Sequence, residues 1–333
     1  MLDANRPALI LAPMEGVTDA PMREFMGELG AFSYCVSEFI RVSGTALDAK
    51  AFLRHVPELS TGARTGSGLP VQVQILGGDP DRMARSAMAA VEAGATAIDV
   101  NFGCPAKTVN RNDGGASLLR HPERIQEIVA RIRAAVPKAI PVSAKLRLGW
   151  KSIDDVHENA RRAVLGGASW ITLHARTRMQ GYTPPVFWPH VGEVRCAVPV
   201  PVVANGDIWS PDDFRRCQAE TGCIHFMIGR GALANPALPG QIAAELGLAL
   251  KPSAPDWLGC FERFVTISRA QGLEHEKHLV MRLKQWMKLA HHHGDFPAFD
   301  RLKLAATVEE ILDRLDRGTS DCRPDPQTRV AAP

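Results

Sequence analysis

No apolar run in this 333-residue sequence is long enough to cross a bilayer, and Asp3 and Arg6 precede only a short apolar stretch. Neither a membrane-spanning helix nor a secretory leader is therefore expected. The seven cysteines, at 35, 104, 196, 217, 223, 260 and 322, are odd in number, scattered and without a C-x-x-C pair. That disfavours a disulfide framework and points to a reducing compartment, the cytoplasm by default. Charge of either sign is scarce in the balance: the net value is +3, so affinity for nucleic acid has to come from local patches. Also missing is a G-x-G-x-x-G turn after an early strand, because "APMEGVTDAPM" does not fit one. This counts against an open doubly wound dinucleotide sheet.

What the sequence does contain is a regular alternation. Strand-like runs occur at 8–14, 34–40, 71–77, 97–103, 141–149, 170–176, 201–208 and 226–232. Several are apolar without interruption, as in parallel strands covered on both faces. Helical patterns lie between them, such as "PERIQEIVARIRAAV", where Ile125, Ile128, Val129 and Ile132 recur at helical spacing. The pattern predicts an α/β fold, a (β/α)8 TIM barrel over residues 1–245. Strands cease after about Pro255, and residues 253–317 read as a helical, bundle-like domain. A disordered tail is expected over 318–333.

In such a barrel, chemistry collects where strands end. Those ends carry Pro13-Met14-Glu15, Glu38 with Arg41, Gln74, Asn101 with Cys104, Lys145 with Arg147, and His174 with Arg176. The last two carry Asn205-Gly206-Asp207 and Gly229-Arg230-Gly231, which read as a phosphate cradle; tight corners are the plain alternative. Lys145 sits in a strand of otherwise small or apolar residues with no acid beside it. A Schiff-base lysine and a lysine holding negative charge on a cofactor both stay open. His174 is either a satisfied core histidine or part of the site. Cys104 follows Asn-Phe-Gly and precedes a proline on a Gly/Asn-rich loop. That placement suits a proton donor or acceptor better than an inert thiol, and no Cys–His–Asn arrangement supports a protease-like nucleophile.

The triple histidine at 291–293 cannot converge on one ion from a single helix, so no metal is expected. At about 100° per residue, Lys277, Lys284, Lys288 and His291 share one narrow helix face, with no acidic residue between 277 and 294. A solvated face and a surface for a polyanion's phosphates explain this equally well.

The motifs "APMEGVTD", "VQILG", "DVNFGCPAKTV", "KLRLGW", "HARTRMQGY", "VVANGDI" and "MIGRGAL" together resemble the tRNA-dihydrouridine synthases, flavin enzymes that reduce uridine in the tRNA D-loop. "APMEG", "VNRNDGGASLL" and "HLVMRLKQW" are most similar to the bacterial C-type branch, which acts at position 16. The resemblance implies FMN as cofactor and NADPH as its reductant. It places Pro13, Met14 and Glu15 along the flavin, Gln74 and Lys145 on its ring and ribityl chain, and His174 on the cofactor side. Asn205, Gly206, Asp207, Gly229 and Arg230 would take the ribityl chain and phosphate. Lys145 then serves charge stabilisation instead of a Schiff base. Flavin N5 would deliver hydride to C6 of uridine, Cys104 a proton to C5, and Asn101 would hold the pyrimidine edge of a base drawn from its stack. Arg41, Tyr182, Arg282 and Lys284 would contact the tRNA. Phe102 departs from the residue most relatives carry and should alter packing beneath the loop. A monomer is expected. The competing readings are an FMN barrel acting on a small molecule, of the dihydroorotate type, and a tRNA-binding protein without catalysis.

Overall fold

A computed structural model describes residues 1–110, 114–248, 256–296 and 298–320. Of the expected tail, 321–333 lie outside the described residues, while 318–320 continue the helix Val308–Ser320.

All eight strand-like runs form strands. They are β1 (Ala8–Leu11), β2 (Tyr34–Arg41), β3 (Val71–Leu76), β4 (Ile98–Asn101), β5 (Val142–Arg147), β6 (Ile171–His174), β7 (Val202–Asn205) and β8 (His225–Ile228). Each pairs in parallel with the next, and β1 closes the ring by pairing with β8. Most strands stop short of the sequence-based bounds, leaving Pro13, Cys104, Asp207 and Gly229 beyond the ladder. The helix Pro122–Ala135 buries the predicted Ile125, Ile128, Val129 and Ile132 completely. Chemistry at the helix starts matches the sequence: the Asp79 carboxylate accepts the Arg82 N–H at 2.8 Å, and the Ser210 hydroxyl accepts the Asp213 N–H at 3.1 Å.

The barrel interior divides by chemistry. Ala8, Ile10, Ala12, Tyr34, Val36, Trp170, Val203 and Met227 form an apolar cluster. On β3, β4 and β5, residues two apart are instead polar: Gln72 and Gln74, Asp99 and Asn101, then Ser143, Lys145 and Arg147. Gln72 Nε2 donates to Ser143 Oγ at 2.9 Å. Strands β3 and β5 are not neighbours, so this bond runs through the interior. Barrel interiors are ordinarily filled by branched apolar side chains, and a polar sector marks a site.

Between the barrel and its outer layer, Arg23 is sealed from solvent. Its Nε and Nη2 grip the two oxygens of Glu58 at 2.8 and 2.7 Å, and Nη1 donates to the Thr18 carbonyl at 2.8 Å.

The described residues divide into two compact units. One runs to Ala232 and resumes at Ala237; the other takes Leu233–Pro236 with the described residues from 256 onward. A single cut near 245–253 missed the short Leu233–Pro236 segment. It joins the helical unit because Trp286 Nε1 donates to the Leu233 carbonyl at 2.8 Å. Trp257, Phe261, Phe264, Trp286 and Phe296 form this unit's aromatic core, with Trp257 edge-on to Phe296 at 4.9 Å. The segment 299–317 is two helices, Phe299–Leu302 and Val308–Ser320. The second helix is capped at its start: Thr307 Oγ1 accepts the Glu310 N–H at 3.1 Å, and Glu310 Oε2 reaches back past it to the Ala306 N–H at 2.6 Å. Among the described residues no helix is long and apolar enough to cross a membrane.

Replacing Arg23 by Leu strands the Glu58 carboxylate in a dry site. The expected loss is about 3–5 kcal/mol in the barrel's urea-unfolding transition, and a loss below about 1 kcal/mol would show the pair to be dispensable.

Candidate active site

The polar sector leads outward from Asp99 to Cys104. Ser143 Oγ donates to Asp99 Oδ1 at 2.5 Å, and Gln74 Nε2 donates to Asp99 Oδ2 at 2.7 Å. Asn101 Nδ2 donates to Gln74 Oε1 at 2.8 Å, and Asn101 Oδ1 accepts the N–H groups of Gly103 and Cys104, each at 2.9 Å. The Asn-x-x-Cys spacing is what lets one side-chain amide cap the turn that carries the thiol. From the other side Arg147 Nε donates to the Gly103 carbonyl at 2.8 Å, so this peptide is fixed at both ends. The Cys104 carbonyl accepts from Ala116 N and Asn110 Nδ2 at 3.1 Å. Gly115 permits that return: its φ is +60°, and a Cβ would lie 2.9 Å from Val109 Cγ1 and 3.1 Å from Cys104 Cβ. Phe102 is fully buried under the loop.

Burial pushes the Cys104 thiol above its ordinary range, outweighing the Ala106 N–H and the Arg147 and Lys145 charges that draw it down. The group is therefore a thiol at neutral pH, able to give a proton. Lys145 is pulled from 10.5 to about 8 by burial and by Arg147, against the opposing charges of Asp99 and Cys104. No acid lies in β5 itself, but Asp99 comes from the neighbouring strand, where it pairs with Ser143, two residues before Lys145, and a single-strand reading does not show it. Lys145 Nζ donates to Asn205 Oδ1 at 3.1 Å across the barrel, and Asn205 Nδ2 to the Met227 carbonyl at 2.8 Å.

Positive charge crowds the remaining rim. Arg176, wholly buried, makes a paired contact with both oxygens of Asp207, and Arg230 Nη2 reaches Asp207 Oδ1 at 3.0 Å. One carboxylate thus serves two guanidinium groups, and the Asp207 backbone sits at φ +48°. Burial, with Arg147, Lys145, Arg176 and Arg230, holds His174 well below its usual value, so it is neutral. Gly206 has φ +123°, and a Cβ there would lie 2.9 Å from His174 Cδ2; a Cβ on Gly229 would meet Met14 Sδ at 3.0 Å. The Tyr182 ring, 56% exposed, lies under Arg230 at 4.6 Å and Arg147 at 5.3 Å.

Pro13 and Met14 are half-buried after β1, and Glu15 is exposed; partial burial and the Glu38 charge raise its pKa. Arg41 extends from β2 and approaches the Thr108 carbonyl at 3.5 Å. In the helical unit, the helix Glu276–His293 leaves Lys277 and Lys288 exposed and Lys284 half-exposed. Arg282 is 8% exposed, bonded to Gln285 Oε1 and stacked over Phe264 at 5.8 Å, so it packs against the helical core. His291 is exposed on the same helix and stacks on Phe299 at 5.1 Å. Among the described residues no group of three or more His, Cys, Asp or Glu side chains could hold a metal.

Asp99, Ser143 and Gln72 were not singled out from the sequence, and Arg147 and Arg176 were noted without a role. Their signal is the two-residue period of polar side chains in β3, β4 and β5, hidden among apolar neighbours.

This closed β/α barrel thus gathers a protonated thiol, a neutral histidine and surplus cations at its C-terminal rim, a setting that favours an anionic ligand. The sequence matches the family described as dihydrouridine synthase (Dus) over residues 10–309. It is 45% identical over 317 residues to a tRNA-dihydrouridine(16) synthase of Ralstonia nicotianae, covering 92% of this chain and 97% of that one. Against a tRNA-dihydrouridine(16) synthase of Shewanella oneidensis the identity is 40% over 315 residues, covering 93% and 97%. Among solved structures, histamine dehydrogenase from Rhizobium sp. 4-9 superposes with a TM-score of 0.54 at 16% identity, over 79% of this chain and 49% of that one. The 6-hydroxypseudooxynicotine amine oxidase of Pseudomonas geniculata N1 gives 0.56 at 13%, over 80% and 51%. These two likenesses show the fold. The chain belongs to the dihydrouridine synthase family and is a flavin-dependent oxidoreductase.

The residues present fit a flavin. The glycines at 206 and 229 keep the rim open where a Cβ would crowd it, and the cations outnumber their one shared acid. Lys145 is charged only below about pH 8, so any charge it lends a bound anion is present at pH 7 and lost as pH rises through 8. Flavin affinity of the apoprotein, read by fluorescence quenching, should therefore decline between pH 7 and pH 9. Lys145→Met should weaken binding about tenfold at pH 7, the loss of a charged hydrogen-bond donor, and remove that decline. An unchanged affinity in the variant would take Lys145 away from the cofactor.

Proposed function

We infer that this protein reduces the C5=C6 bond of a uridine in the tRNA D-loop, at position 16, with FMN as its flavin and NADPH as the reductant. The observation that carries the reading is the thiol of Cys104, kept protonated by burial and fixed by Asn101 and Arg147 at the rim. The likeness to tRNA-dihydrouridine(16) synthases of Ralstonia and Shewanella supports the choice of uridine 16.

When bound, the flavin supplies a hydride to C6. Cys104 gives its proton to C5, and the charge left on sulfur is favoured by Arg147 and Lys145. One hydride and one proton thus saturate the bond, and the thiolate regains a proton from solvent before the next turnover. Asn101, with both loop N–H groups on its oxygen, has only an N–H left to offer the pyrimidine edge. His174, neutral, adds no charge beside Lys145. Gln74, Asn205, Gly206, Asp207, Gly229 and Arg230 hold the cofactor's ring, ribityl chain and phosphate, with Pro13, Met14 and Glu15 along it. Arg230 and the Gly206–Asp207 backbone provide the charge and open N–H geometry a phosphate needs. Tyr182, exposed and backed by two guanidinium groups, offers a stacking face to RNA, and Arg41 adds charge. In the helical unit, Lys284 with Lys277 and Lys288 contacts phosphates.

Cys104→Ala should keep flavin and tRNA binding and lose dihydrouridine formation by about 10²–10⁴-fold, the range of general-acid catalysis. Mass-spectrometric mapping of tRNA after single turnover measures it; full activity would remove the thiol from the chemistry. Lys284→Glu should weaken tRNA binding and reduce the slope of log affinity against log salt by about 1 while sparing NADPH oxidation. An unaltered slope would return that helix face to solvent.

A further inference from the structure

Asp99 has no part in the chemistry above, yet it stands at the inner end of the hydrogen-bond chain that reaches Cys104. Donor-only backbone groups at the outer end of that chain set the direction of its amide bonds. At the outer end, the N–H groups of Gly103 and Cys104 can only donate, so Asn101 must turn its oxygen to them and its Nδ2 to Gln74. Gln74 must then turn its oxygen to Asn101 and its Nε2 to Asp99 Oδ2. At the inner end, Gln72 Nε2 occupies the Ser143 oxygen, and the one Ser143 proton goes to Asp99 Oδ1. In this arrangement both Asp99 oxygens accept, which a carboxylate does and a carboxamide does only at one end. Burial raises its pKa, while the Ser143 and Gln74 hydrogen bonds and the Lys145 charge draw it back toward the carboxylate. With Asp99 only 2% exposed, a mismatched donor or acceptor here has no water to turn to.

We propose that Asp99 is a positioning residue that fixes the polarity of the Gln74 and Asn101 amides and through them seats the Gly103–Cys104 backbone. Asn101 is left with a saturated oxygen and one free N–H. Its offer to a ring edge is a donor, which suits a carbonyl and rejects an exocyclic amine. The consequence for turnover rests on Cys104 acting as proton donor; the seating of the loop does not.

Three variants test it: Asp99→Asn, Asn101→Asp, and the two combined. Asp99→Asn forces either a donor against Gln74 Nε2 or a Ser143 hydroxyl without an acceptor. Asn101→Asp sets oxygen against Gln74 Oε1. The combined variant reverses the Gln74 amide and leaves every group matched, because the carboxamide at position 99 can donate to Gln74 while still accepting from Ser143.

Iodoacetamide labelling of the full-length protein without flavin or tRNA, resolved by peptide mass spectrometry, reads the seating of Cys104, with the exposed Cys196 as internal reference. Each single variant should speed Cys104 labelling about tenfold, as expected for one lost buried hydrogen bond, and the combined variant should return it to within about twofold of the parent. Ser143→Ala leaves the acceptor for Gln74 in place and should leave the rate unaltered. Where a single variant fails to fold, a combined variant that folds with the parent rate carries the same support. The proposal falls if Asp99→Asn leaves Cys104 unaffected, or if Ser143→Ala accelerates it equally. It also falls if the combined variant is no nearer the parent than the singles, or fails to fold with them. Labelling needs neither flavin nor tRNA, so a failed dihydrouridine assay would bear on the proposed function alone.

Discussion

A carboxylate sealed inside a ring of parallel strands has to find all its partners within the ring. Leaving one buried polar atom unmatched costs more than a typical surface interaction gains. Asp99 meets this condition through Ser143 and Gln74, and those groups in turn commit Gln72 and Asn101. The Asp99–Gln74–Asn101 run therefore cannot be altered one residue at a time, because each amide's direction is set by the next. Rigidity at the rim follows from this. The loop carrying Cys104 is seated by the same interior bonds that keep the buried charge tolerable, with Arg147 closing the outer side.

Electrostatics at the rim pull the other way. Arg176 and Arg230 share Asp207, while Lys145 has a neutral amide and one buried acid in the neighbouring strand. Such an arrangement is poorly neutralised without a ligand, and the cost appears where titration is possible: Lys145 is drawn down to about 8 and His174 is held neutral. An anionic group settling among these residues relieves that repulsion, so binding strength and the protonation of Lys145 are linked. The site is thus ordered in its backbone and incomplete in its charge.

Much of this was legible in the sequence because it is local. The eight strands, the residues at their ends and the buried face of the helix Pro122–Ala135 follow from runs and periods within short windows. The Asp99 chain was not, since Gln72 meets Ser143 across an intervening strand and no window contains both. Lys145 looked partnerless for the same reason. Arg282 illustrates a different limit: its packing on Phe264, about 140° round the helix from Lys277 at 100° per residue, is a tertiary contact that motif likeness does not report. The cap at Thr307 and Glu310 was visible in principle, yet the apolar periodicity on either side masked it.

The state of the Cys104 thiol bears on which chemistry the barrel can support. A thiolate would be the stronger nucleophile, and two cations stand close enough to favour one. Burial overrides them, so the resting group keeps its proton while its surroundings favour the anion that forms when the proton leaves. That combination suits a general acid. The ground state holds the proton, and the charges that would have removed it lower the cost of its departure during reaction. It also explains why the same residues that crowd the rim with positive charge need an unusually well-held loop. If the backbone at Gly103 relaxed and let water reach the sulfur, the burial that raises the thiol would weaken while Arg147 and Lys145 went on drawing it down.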